Sequence, residues 1–188
     1  VLYPVMLELR DRPVLVVGGG PVAARKIEGL VAAGAVVTVI APRFVDDVLE
    51  SGAATIVKRP YEPADVAGQV LVFTATDDPV VNAQVSRDAT AAGIFVNSAD
   101  DPDNCTAVLP AVLRRGPVVV SVSTSGSSPA LAGWLRDRVA AEVVDERAET
   151  VARELQAERA RVQASGQSTE DINWVPKIER LWRSLSPR

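Results

Sequence analysis

Residues 13–18, Pro-Val-Leu-Val-Val-Gly, form a continuous apolar run closed by glycine, as expected of a short strand buried on both faces. Over residues 21–33 the spacing changes. Val22, Ala23, Ile27, Leu30 and Val31 recur at helical intervals, and Gly34 supplies a stop. Val36-Val37-Thr38-Val39-Ile40 is a second β-branched strand, closed by Pro42. Strand, helix and strand within about thirty residues make a βαβ unit. The alternation continues with strands at 54–57, 70–75 and 94–97 and a helix over 82–92. It predicts an α/β fold built on a Rossmann-like, doubly wound parallel sheet.

The texture changes near residue 107. Residues 107–113 and 118–122 read as two strands joined by the turn-like Arg114-Arg115-Gly116-Pro117. A Ser/Thr/Gly stretch follows, and Pro129 opens a helical pattern that runs to about residue 164, with Ser128 as its cap. Residues 170–185 form a last amphipathic segment whose Trp174, Ile178, Leu181, Trp182 and Leu185 require a partner surface. The expected organisation is a dinucleotide-type domain over 1–106, a small region over 107–145 and C-terminal helices over 146–188.

Composition narrows the chemistry. The 188-residue chain has a net charge of −4, which argues against non-specific nucleic-acid binding but leaves room for a local basic pocket. It contains no histidine, so His-based triads and His-ligated metals are excluded, and acid–base work falls to Asp, Glu, Lys, Tyr or water. Cys105 is the only cysteine, which rules out an intrachain disulfide and a multi-cysteine zinc cage. No apolar run approaches the ~20 residues of a membrane span and no leader pattern opens the chain, so the expectation is a cytoplasmic protein without membrane partners.

The chemistry-bearing segments fall at strand ends. Gly18-Gly19-Gly20-Pro21-Val22-Ala23 fits G-x-G-x-x-A after a buried strand and at a helix start. There the first glycine permits the turn, Gly20 admits a pyrophosphate, and free helix N–H groups face the phosphates. The acidic residue expected about twenty positions on is missing; the second strand ends Ala41-Pro42-Arg43. Either backbone groups near Pro42 hold the ribose, or Arg43 meets a 2′-phosphate.

Thr74-Ala75-Thr76-Asp77-Asp78 ends the next strand, where small residues suit a nicotinamide ribose and the aspartates equally suit a helix cap. Asn97 ends another strand and Asp100 lies just beyond it; a carboxylate there can take a proton, help hold a cation, or be a solvated turn. Ser123-Thr124-Ser125-Gly126-Ser127-Ser128 precedes a helix and reads either as an anion site or as a capped loop.

These blocks resemble, in register, the precorrin-2 dehydrogenase/sirohydrochlorin ferrochelatase family, the dehydrogenase–chelatase half of sirohaem synthase. The likeness rests on Tyr3-Pro4-Val5, residues 12–20, Ala23-Ala24-Arg25-Lys26, Gly34-Ala35, Ala75-Thr76-Asp77-Asp78 with Val81-Asn82, Asn97 with Asp100, Pro110, and Ser125 through Ala132. It covers roughly residues 1–140. The resemblance implies NAD-dependent oxidation of precorrin-2 to sirohydrochlorin, with Fe²⁺ insertion in many members. It implies a homodimer, and it makes Asp100 the general base, with a role in chelation too. A polycarboxylate substrate makes the serine turn, Arg114, Arg115 and Arg136 candidate anion contacts.

The missing histidine removes any chelatase role leaning on imidazole, and a fused methyltransferase does not fit in this length, so the chain is expected to be stand-alone or a fragment. A non-catalytic NAD(H)-sensing module is the alternative function. A short-chain dehydrogenase is disfavoured because neither Tyr3 nor Tyr61 begins Tyr-x-x-x-Lys.

Overall fold

The computed structural model describes residues 2–99 and 101–185. The chain divides into two compact units, one through Leu109 and one from Pro110.

The first unit is built on five parallel strands in the order β3-β2-β1-β4-β5. They are β1 (Pro13–Val17), β2 (Val36–Ala41), β3 (Thr55–Lys58), β4 (Leu71–Thr74) and β5 (Phe95–Ser98). Three helices belong with them: α1 (Pro21–Ala32), a four-residue α2 (Asp46–Leu49) and α3 (Pro79–Ala91). Because side chains alternate along a strand, the continuous apolar runs supply two cores at once. Val14 and Val16 pack with Val37, Val39, Leu71 and Phe73 against Ala23, Ile27 and Leu30 of α1. Leu15 and Val17 pack on the other face with Ile40, Val72 and Val96 against Val85 and Ala89 of α3. The doubly wound sheet that the alternation predicts is therefore present, with α2 and a 3-10 turn at Pro63–Val66 as elements the periodicity did not reveal.

Helix α1 ends where Gly34 was expected to stop it. Gly34 has φ +77°, its N–H donates to Val31 (2.9 Å), and the Ala35 N–H donates to Leu30 (3.0 Å). This left-handed closure satisfies two helix-end carbonyls and turns the chain directly into β2. The same pair of bonds ends α3, from Gly93 to Thr90 and from Ile94 to Ala89.

The second unit contains the antiparallel pair β6 (Ala111–Arg115) and β7 (Val118–Val122), then α4 (Pro129–Glu142), α5 (Arg147–Ala164) and α6 (Val175–Ser184). Two expectations shift here. Residues 107–110 are not strand: Ala107 donates its N–H to Val96 and accepts from the Asn97 amide, so it is tied to β5 instead. The helical pattern from 129 to 164 also breaks at 143–146. Val143 and Val144 both donate to Val139, and the Asp145 carboxylate accepts from the Arg147 N–H at 2.9 Å, starting a new helix. The Arg147 guanidinium holds that carboxyl below its ordinary value. Arg147 also stacks over Trp182 at 4.9 Å, fastening α6 to α5.

Candidate functional site: the carboxyl edge of the sheet

The strand register sets the site. Val57, Ile40, Val17, Thr74 and Ser98 stand opposite one another across the five strands, so every following loop leaves from one level line. Gly18–Val22, Pro42 and Arg43, and Ala75–Asp77 therefore share one edge. The sheet order reverses beside β1, and open α/β sheets bind ligands in the crevice at that point.

The glycine turn is shaped by contact. Gly18 has φ +136°, a conformation that suits glycine, and a Cβ there would collide with the Ala75 carbonyl. Its N–H donates to Ile40 (3.0 Å) and Ala75 donates to Val17 (2.8 Å), extending the sheet into the loops. A Cβ on Gly19 would strike the Arg43 carbonyl and Phe44, and the Gly19 carbonyl accepts from Val45 (2.9 Å). Gly20 differs: a Cβ there would meet nothing within 4 Å. It caps α1 without a side-chain hydrogen bond, Pro21 follows, and the first turn holds no acidic residue. The helix start thus leaves N–H groups and its positive dipole end for an anion. Ala23, fully buried, lets α1 sit close on the sheet.

The 74–78 segment is braced from within. Thr74 is 1% exposed, and its hydroxyl donates to Asn82 Oδ1 rather than facing the edge. The same oxygen accepts from the Thr76 N–H (3.2 Å), while Asn82 Nδ2 donates to the Thr76 carbonyl (3.0 Å). The Thr76 hydroxyl lies within reach of Asn82 Oδ1 (2.8 Å) and the Asp78 carbonyl (3.0 Å) and donates to one at a time. Asp78 is the cap of α3, accepting from Val80 at 2.8 Å, and Asp77 stays exposed. Asn82 entered the sequence analysis only as part of the family likeness, and its bracing role was not foreseen there. Its signal was an asparagine, a poor helix former, in the first turns of a helix beside core positions.

Asn97 is buried, and its amide donates to the Ala107 carbonyl (2.9 Å), so it fastens the loop after β5. Cys105 secures the same loop: its sulfur accepts from the Ser98 N–H (3.1 Å) and lies 3.3 Å from the Ser98 and Asp101 carbonyls. Burial is the main reason its thiol pKa lies above the ordinary value. Asp100, the expected base and metal contact, lies outside the described residues. Among the described residues no group of three or more acidic or sulfur side chains could hold a metal ion.

In the second unit the serine turn is folded on itself. The Thr124 hydroxyl donates to the Ser128 carbonyl (2.9 Å) and accepts its N–H (3.1 Å), and the Ser125 N–H donates to Ser123 Oγ (3.1 Å). Ser125 and Gly126 have positive φ, and the Ser128 hydroxyl accepts from Leu131 (3.2 Å), capping α4 as expected.

A five-stranded parallel sheet in this order, with a glycine turn feeding an open helix start, defines a dinucleotide-binding α/β protein. Residues 5–111 match the family described as putative NAD(P)-binding, and residues 115–142 match the one described as sirohaem biosynthesis protein central. The chain belongs to the putative NAD(P)-binding family. It is 45% identical over 139 residues to a siroheme synthase of Methylobacillus flagellatus and 42% identical over 139 residues to one of Azotobacter vinelandii. Each match takes in 72% of this chain but 30% of the relative, so the chain spans under a third of their length. The solved structure titled SirC, precorrin-2 dehydrogenase, superposes with a TM-score of 0.73 at 27% identity, covering 98% of this chain and 90% of that one.

Proposed function

We propose that this chain oxidises precorrin-2 to sirohydrochlorin, with NAD⁺ as hydride acceptor, in sirohaem biosynthesis. The observation that carries the reading is the structural likeness to SirC, because it runs through both units and not only the widespread nucleotide-binding one. In this reading the Gly18–Val22 turn holds the pyrophosphate on the α1 N-terminus, and the loops at Pro42–Arg43 and Ala75–Asp77 flank the two riboses.

Dehydrogenation removes two hydrogens from the macrocycle. NAD⁺ takes one as hydride, and the other leaves as a proton to a base. Asp100 is the proposed base. Asn97 acts through the loop it fastens to Ala107, and Ser123–Ser128 together with Arg114, Arg115 and Arg136 are the proposed contacts for substrate carboxylates. Fe²⁺ insertion into the product is a second step that the siroheme synthase relatives make worth testing.

The proposed assembly is a homodimer in the cytoplasm. Within the second unit few side chains are buried, among them Leu113, Ala132 and Val151, whereas Leu131, Trp134 and Leu135 stay exposed at helical spacing along α4. That apolar stripe supports pairing through residues 107–145. No helix among the described residues is long and apolar enough to cross a membrane.

The test mixes purified protein, enzymatically generated precorrin-2 and NAD⁺ and follows NADH and macrocycle absorbance together. Oxidation is expected, and its absence with folded, NAD-binding protein refutes the proposal. Asp100→Asn is expected to reduce turnover about a hundredfold or more while NAD⁺ affinity stays within about twofold. Full activity removes Asp100 as the base. A parallel incubation of sirohydrochlorin with Fe²⁺, compared with the uncatalysed rate, tests metal insertion.

A further inference from the structure

The loop after β5 is acidic and carries no cation of its own. Between Ser98 and Pro110 it holds Asp100, Asp101 and Asp103 and no lysine or arginine. The residues on either side of Asp100 are tied down through their main chain. The Ala99 N–H donates to the Thr74 carbonyl (2.9 Å), and the Cys105 sulfur lies 3.3 Å from the Asp101 carbonyl. The carboxylates are less well served. That of Asp101 accepts from the Asn104 amide (2.6 Å), and among the described residues neither it nor Asp103 forms an ion pair. Carboxylates this close in sequence repel one another, and the repulsion displaces the loop that bears them unless a cation offsets it.

Lys26 of α1 reaches this region from outside the loop. Ala23 and Ile27 face the sheet, fully buried, and Lys26, three residues after Ala23, stands at the margin of that face. Its neighbour Arg25 is exposed, whereas Lys26 is half-buried. The Lys26 ammonium lies over the Phe73 ring, 5.9 Å from its centre. Phe73 is 3% exposed, stands opposite Asn97 in the sheet register, and belongs to a cluster against which Ala99 and Ala107 also pack. The lysine stem therefore covers apolar surface while its charge is set beside the two ends of the β5 loop. The Cys105 thiol registers that charge. Burial raises its pKa most and Asp101 adds to the rise, while the Ser98 N–H and the Lys26 ammonium oppose it.

We propose that Lys26 is a positioning residue for the dehydrogenation, its charge holding the acidic β5 loop so that Asp100 keeps its place for proton removal. The inference rests on the proposed oxidation and adds a group that acts through its base. In that reaction the macrocycle gives up a hydride to NAD⁺ and a proton to the Asp100 carboxylate, and the electron pair the proton leaves behind forms the new double bond. Lys26 exchanges no proton with the substrate; it fixes where the acceptor stands. A misplacement of about 1 Å at such a group costs about a hundredfold in rate.

Steady-state kinetics of the full chain with precorrin-2 and NAD⁺, in a double-mutant cycle with Asp100→Asn, tests this. Lys26→Met keeps an apolar stem over Phe73 without the charge, and it is expected to lower kcat about tenfold to a hundredfold. NAD⁺ affinity, measured by titration calorimetry, and the KM for precorrin-2 are expected to stay within about threefold. Lys26→Arg restores the charge and is expected to bring kcat back to within about threefold of wild type. Adding Lys26→Met to Asp100→Asn is expected to cost less than about threefold further, because the group it positions has gone. A packing role alone moves the melting curve and leaves the two losses independent. Unchanged kcat in Lys26→Met, a parallel loss of NAD⁺ affinity, no recovery in Lys26→Arg, or losses that multiply in the double variant overturns the proposal. If Lys26→Met melts below the assay temperature, Lys26→Gln takes its place in the same cycle. If the wild type does not oxidise precorrin-2, the proposed function falls and takes this inference with it. Oxidation that does not depend on Lys26 rejects this inference alone.

Discussion

Replacing Asn82 by alanine tests whether the 74–76 turn is held from beneath. Asn82 Oδ1 accepts from the Thr74 hydroxyl and the Thr76 N–H, and Nδ2 donates to the Thr76 carbonyl. Alanine removes these three bonds and the Thr76 hydroxyl's contact with Oδ1 (2.8 Å), which that hydroxyl can replace with the Asp78 carbonyl, and the groups left behind differ in their access to water. Thr74 is 1% exposed, so its hydroxyl has no substitute partner and costs about 1–3 kcal/mol. The Thr76 amide is half-buried and recovers part of its loss from solvent, adding about 1 kcal/mol. The expected destabilisation is therefore about 2–4 kcal/mol, read as a lower urea midpoint at unchanged slope. Thr74→Val alone leaves Asn82 with the Thr76 donors and costs less. In the double variant the penalty of the orphaned hydroxyl vanishes, so the two losses are expected to be less than additive by about 1–2 kcal/mol. A loss below about 0.5 kcal/mol for Asn82→Ala, or strict additivity, would falsify the brace.

The glycine turn separates folding from binding in a second experiment. Gly18→Ala meets both a positive φ and the Ala75 carbonyl, so it is expected to lower stability by about 2 kcal/mol or more; Gly20→Ala meets open space and is expected to spare the fold but weaken NAD⁺ binding. Equal melting temperatures for wild type and Gly18→Ala contradict the first half, and unchanged NAD⁺ affinity in Gly20→Ala contradicts the second. Acid denaturation probes the Arg59–Asp65 pair. The guanidinium holds the Asp65 pKa below its ordinary 3.8, so the pair's stabilisation is present above that value and lost as pH falls through the lower folded one. Asp65→Asn is thus expected to flatten the stability–pH curve below pH 4 while lowering the plateau above it, as followed by urea midpoints at each pH; an unaltered slope rejects the linkage.

The strands were legible because a sheet covered on both faces writes itself as unbroken runs such as Val14–Val17, and helix α1 because its apolar positions recur over three turns. The glycine stop and the Ser128 cap are local devices, and local sequence sufficed for them. What stayed hidden depends on contacts between distant residues. Thr74 and Asn97 sit at strand ends, and the bonds their side chains make to Asn82 and Ala107 could not be read from local sequence. No periodicity distinguishes a polar side chain aimed at a ligand from one turned inward to hold a loop. The break at 143–146 was missed because Val143 and Val144 continue an apolar pattern, while the hydrogen bond that restarts the helix comes from the Asp145 side chain. The short α2 has too few turns to show a period at all.

The paired closures at Gly34 and Gly93 bear on how such a chain can change length over generations. Each ends its helix within three residues of a strand, so an added residue in α1 or α3 has no slack to absorb it. It rotates the following segment by about 100° or slips the strand by one, sending core side chains to the opposite face. At the opposite edge, the loops after β2, β4 and β5 run four, four and three residues before the next element and are held by side-chain and backbone contacts rather than by a helix closure directly abutting a strand. Insertions and deletions among descendants of this fold are expected to accumulate there, so the ligand-facing edge can diversify while the spacing of the opposite edge stays constant.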